Sequence, residues 1–176
     1  MSAMQWLAVA DRIDRMTAAI GRSAAWCALA MVGVQFAVVV LRYVFGVGSV
    51  WLQESIIYAH AALILLAAAW TLAAGGHVRV DVFYAEASPR RKALADFMGA
   101  VLLLIPFMLL LLIVAIPYVG RAWAILERSR EAGGLPLVFA LKTLIPIFAV
   151  LLALQGVSQA IRAWTVLFGR AQDTTA

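Results

Sequence analysis

One cysteine and two histidines are all that the 176-residue sequence offers toward a disulfide framework, a metal centre or a haem site. Cys27 lies inside a long apolar run and reads as a small apolar residue. His60 and His77 stand roughly 25 Å apart along one helix, too far for both to ligate one iron. Catalytic sets are missing too: Ser49, Ser55 and Ser158 have no base at useful spacing, and no phosphate-binding loop occurs. An internal repeat is also absent, which argues against the inverted-repeat construction of many self-sufficient transporters. Charge is scarce at 13% of residues, and a cleavable signal peptide is not expected, because Asp11 and Asp14 precede any long apolar run.

What the sequence has in excess is apolar surface. At 65% hydrophobic residues and a mean hydropathy of +0.98, it carries more than a soluble core of this size can hide. No charged residue lies between Arg22 and Arg42, Glu54 and His77, Asp96 and Arg121, or Lys142 and Arg162. Each gap is roughly 19–24 residues, enough for a helix to cross a hydrocarbon core about 30 Å thick. Trp26, Trp51, Trp70, Trp123 and Trp164 gather at the ends of these gaps, where indole rings anchor at the headgroup layer.

The expected fold is therefore an all-α integral membrane protein of four transmembrane helices. Residues 1–21 form an N-terminal amphipathic segment and 22–165 a transmembrane domain with spans at about 23–41, 55–76, 97–120 and 143–161. Residues 166–176 form a cytoplasmic tail. Nine of the 14 Lys and Arg lie in the N-terminal tail, the second connection and the C-terminal tail, which places both termini in the cytoplasm. The net charge of +5 then suits anionic lipid headgroups and requires no nucleic acid.

Local patterns refine this plan. Trp6, Val9, Ile13, Met16 and Ile20 recur at helical spacing opposite Asp11, Arg12, Asp14 and Arg15. That segment either lies on the membrane or extends the first span. Gly46 and Gly48 mark a tight first turn, Gly75-Gly76 a left-handed cap, and residues 77–84 an ordered half-buried loop. Ser88-Pro89 starts a third helix that runs to about Arg130 past Pro106 and Pro117. Roughly 40 residues would make it about 60 Å long, so it must tilt, bend or project. Pro146 falls early in the fourth span, where a missing donor costs least.

Few polar groups lie inside the spans. Gln35 and Gln155 are expected to bond across the bundle or to a partner, and His60 across the bundle. Arg42 and Glu54 flank the first turn, either as an ion pair closing it or as a charged docking point for an extracytoplasmic partner.

The run Leu41-Arg42-Tyr43-Val44-Phe45-Gly46 leading to Trp51-Leu52-Gln53-Glu54 resembles the first periplasmic turn of the small, DctQ-type membrane subunits of tripartite ATP-independent periplasmic (TRAP) transporters. Gly76-His77-Val78-Arg79-Val80-Asp81-Val82-Phe83-Tyr84 and the segment from Gly134-Leu135-Pro136 through Lys142 and Pro146 to Gln155-Gly156 extend the resemblance from about Arg22 to Arg162. It implies a non-enzymatic scaffold in the bacterial inner membrane that holds a large M-type permease. That permease, not this chain, binds sodium and substrate, and a periplasmic P-type binding protein delivers an organic acid. Arg42, Tyr43, Glu54, Arg128 and Arg130 would lie on the docking side, and His77, Arg79, Asp81, Lys142, Pro146 and Gln155 would be structural. No cofactor is expected. Two other classes remain open: a self-contained proton-coupled exporter using Glu54, and a membrane anchor of a redox enzyme.

Overall fold

A computed structural model of the protein describes residues 3–77 and 86–168; Arg79 and Asp81, with most of the expected half-buried loop, lie outside the described residues. Four helical segments are long and apolar enough to cross a membrane. In chain order they are α1 (Ala3–Val44), α2 (Val50–Ala73), a third segment joining α3 (Pro89–Met98) to α4 (Ile105–Ala124), and α5 (Val138–Phe168). No strand occurs among the described residues. The helices differ in extent from the apolar runs because capping, not hydropathy, decides where a helix stops.

The caps are visible in the sequence. Ser49 accepts a hydrogen bond from the Leu52 amide and Ser88 from the Arg91 amide, both at 3.4 Å, with Pro89 opening α3. At the end of α2, Gly75 adopts φ 68°, and the amides of Gly76 and Gly75 bond back to Thr71 and Leu72. The same paired closure ends α4, where Glu127 and Leu126 bond back to Ala122 and Trp123. Here Leu126 takes the left-handed position, at φ 45°.

This closure stops the third segment at Ala124, short of the expected Arg130. A leucine costs roughly 1 kcal/mol in that conformation, and its side chain is 55% exposed, so packing returns little. Leu126→Gly is expected to raise stability by about 1 kcal/mol in thermal unfolding of the detergent-solubilised protein. An unchanged or lower melting temperature would show that the side chain is held by contacts elsewhere.

α1 is continuous from Ala3, with no break between the amphipathic stretch and the first span. The stretch and the first span are therefore one helix. Its inner side is buried: Ala10 and Thr17 are fully covered. Gly21 lets α1 meet α2 closely, since a Cβ there would stand 2.5 Å from Trp70 Cβ. Trp70 therefore packs between helices as well as standing near a span end.

Between α3 and α4 the helix widens over Gly99–Leu104, and the Ile105 amide bonds to the Ala100 carbonyl five residues back. Pro106 follows. Its ring has no N–H to give and crowds the preceding turn, and the wider turn absorbs both effects. Pro146 lies inside α5, well past the first turn, because that helix starts at Val138 rather than near Lys142.

α5 is the centre of the bundle and packs against all the other helices. Ala69, Met108, Ala149, Leu151 and Leu152 form the buried core. Small residues bring the backbones together, as in membrane helix pairs generally. At Gly156 a Cβ would meet Leu104 and Ile105 at 3.0 and 3.1 Å.

Candidate functional site

Two polar clamps, one at each end of the bundle, gather charged side chains from different parts of the sequence. The first joins the start of α1 to the last turns of α5. Asp14 Oδ1 accepts from Ser158 Oγ at 2.6 Å and Gln155 Nε2 at 2.8 Å. Its Oδ2 receives Arg162 Nη2 at 2.6 Å, and the same nitrogen reaches Asp11 Oδ1 at 2.6 Å. Thr17 Oγ1 donates to Gln155 Oε1 at 2.8 Å. Thr17, Gln155 and Ser158 are fully buried, so each polar group needs the partner it has. Gln155 was expected to bond across helices, and it does so to α1.

The second clamp fixes the connection between α4 and α5. Glu54 on α2 accepts from Ser129 Oγ with one oxygen and, at 2.5 Å, from the Leu135 amide with the other. The Ser129 amide in turn bonds to the Leu135 carbonyl. Gly134 passes so near that a Cβ would fall 2.8 Å from the Glu54 carboxylate. Beside it, Lys142 pairs with Glu127 at 2.5 Å and lies 4.3 Å over the Tyr118 ring. Trp123 donates to Thr143 at 2.9 Å and stacks edge-on against Phe139.

Of the two readings of Arg42 and Glu54, this geometry rules out the ion pair. Glu54 is committed to the loop, and Arg42 forms no ion pair with any described residue. Arg42 instead lines an open cleft between α1 and α2 with Tyr43, Gln53 and Gln35. Arg128 and Arg130 flank Ser129 and are exposed, so their guanidinium groups, like that of Arg42, have no ion-pair partner among the described residues at the end of the bundle that carries the first turn.

One further expectation changes: His60 is exposed and does not bond within the bundle among the described residues. Gln35 is exposed too and makes no bond there, which leaves, of its two readings, a bond to a partner. His77 Nε2 lies 3.3 Å from the Ala68 carbonyl, a contact that folds the chain back after α2. Trp26 is 72% exposed, while Trp164 stacks on Phe97 and Phe168.

Asp14, Thr17, Ser129 and Ser158 were not singled out from the sequence as functional. A usable signal existed for Asp14: with both termini on one side, it and Arg162 lie at the same end of the bundle. Ser129 carries no such signal, because its place depends on how the loop folds.

A family model described as "Tripartite ATP-independent periplasmic transporters, DctQ component" matches residues 31–166. Neither the curated proteins nor the solved structures yield a match. The matched region takes in the whole Glu54 clamp and the α5 half of the Asp14 clamp. With that match over well more than half of its length, on a bundle of four membrane-length helices, the chain belongs to the DctQ component family of TRAP transporters.

Proposed function

We propose that this chain is the scaffold subunit of a sodium-driven, binding-protein-dependent importer of an organic acid. It holds a large permease in the bacterial inner membrane, with both termini in the cytoplasm. The observation that carries this reading is where the ionisable groups are used. Asp11, Asp14 and Arg162 at one end, and Glu54, Glu127 and Lys142 at the other, tie helices and loops together. A group that moves an ion must change partners during transport, whereas each of these is committed to partners inside the bundle. Exposed Arg42, Arg128 and Arg130 give the first-turn end a basic surface suited to an acidic face of the binding protein.

Proteoliposomes carrying this chain, the large permease and the binding protein are expected to take up the acid under an inward sodium gradient. Proteoliposomes with this chain alone should show no uptake and no sodium binding by calorimetry. Uptake by the isolated chain, or full activity of the permease without it, would overturn the scaffold role.

A further inference from the structure

Two exposed polar side chains, Gln35 and His60, lie within membrane-length helices with no hydrogen-bond partner among the described residues, and both stand on the side formed by α1 and α2. Gln35 lies seven residues inward of Arg42, roughly 10 Å along α1. His60 is near the middle of α2, one helical turn beyond Ile56, which borders the same groove as Gln35. Both are exposed on the bundle surface. Hydrocarbon tails offer an amide or an imidazole no hydrogen bond, so leaving these groups against lipid is unfavourable.

A second surface is different in kind. From the widened turn into α4, Leu103, Phe107, Leu110 and Val114 are 57–72% exposed and wholly apolar. Lipid satisfies such a face without help. The contrast between the two faces decides which one needs a protein against it.

We propose that the α1–α2 face bearing Gln35 and His60 is the surface by which this chain docks on its membrane partner. That partner is a polytopic chain presenting hydrogen-bonding side chains at mid-bilayer depth. This rests on the scaffold reading above, under which the partner is the large permease. Gln35 and His60 set the depth and register of the contact, and exposed Phe36 and Ile64 supply apolar area beside them. The polar groups are spread over two helices, so the partner covers a surface two helices wide.

The test uses the complete transporter in membranes, with p-benzoylphenylalanine placed singly at Phe36, Ile64, Phe107 or Leu110. Adducts with the permease are expected from positions 36 and 64 and not from 107 or 110. In parallel, Gln35→Leu and His60→Leu should each weaken retention of the permease about fivefold, the equivalent of ~1 kcal/mol per lost bond. Neither should lower the melting temperature of the isolated chain, which a role inside the bundle would do. Permease adducts from 107 or 110, adducts between two copies of this chain, or no adducts from an assembled complex would each overturn the face assignment and leave the scaffold reading standing. Failure of the unsubstituted chain to co-purify with the permease would overturn both.

Discussion

Asp14→Ala is expected to destabilise the protein by about 3 kcal/mol, the largest loss from any single truncation of a polar side chain here. The carboxylate accepts from Ser158, Gln155 and Arg162 at once. Its removal leaves the fully buried Gln155 amide short of a partner and the buried Ser158 hydroxyl with only a long, 3.4 Å contact to the Ala10 carbonyl. Each such group costs about 1–3 kcal/mol in a dry site, and membrane hydrogen bonds average nearer the low end. The Arg162 pair adds little, since the arginine is 45% exposed and solvent screens it. Asp11→Ala is the control. Asp11 shares Arg162 but is 57% exposed, and its loss should stay within about 0.5 kcal/mol. Thermal unfolding of both variants in detergent, followed by tryptophan fluorescence, separates them. Equal losses would mean that the clamp is held by surface charge rather than by its buried hydrogen bonds.

Glu54→Ala should release the loop between α4 and α5. The carboxylate binds the Leu135 amide and the Ser129 hydroxyl from a different helix, so it is a tether between α2 and that connection. A hydrogen bond to a charged group contributes about 1.5–3 kcal/mol. Amide exchange at Leu135 should therefore accelerate at least tenfold, with smaller effects at residues 129–134. Glu54→Gln should fall between, because its carbonyl still accepts from the Leu135 amide while its NH2 group meets the Ser129 hydroxyl. Unchanged exchange in Glu54→Ala would show that the loop is fixed by the Glu127–Lys142 pair and the Trp123–Thr143 bond instead. The loop matters because it holds Arg128 and Arg130, and a freed loop would present them without fixed geometry.

Much of this architecture could be read in order along the chain. The four charge-free stretches correspond to four long helices because an apolar backbone segment in lipid must satisfy its own hydrogen bonds. Ser49, Gly75 and Ser88 end or begin helices where their local chemistry says they should. Leu126 did not announce itself, since nothing in a leucine signals a left-handed backbone.

The placement of Glu54 shows where local reading stops. Arg42 is nearby in sequence and opposite in charge, so an ion pair across the first turn was the natural expectation. The folded chain gives Glu54 two donors from residues far away in sequence, and a carboxylate satisfied twice by neutral donors has no need of the arginine. Asp14 is similar: its partners come from the far end of the chain.

By itself, then, the sequence determined the membrane setting, the number of spans, the helix ends marked by Gly75 and Ser88, and the resemblance to a transporter family. Each of those follows from composition or from residues within a few positions of one another. Only the tertiary structure decided which charges are tethers and which are free, and which faces of the bundle still lack partners. Those outcomes depend on helix rotation and on contacts between distant segments. Gln35 and Gln155 are both amides on long helices, yet Gln155 is buried in a clamp while Gln35 is exposed. Gln35 lies about five turns along α1 from fully buried Thr17 on the same line, so the difference comes from what packs beside each residue: Gln35 lies in an open cleft between α1 and α2.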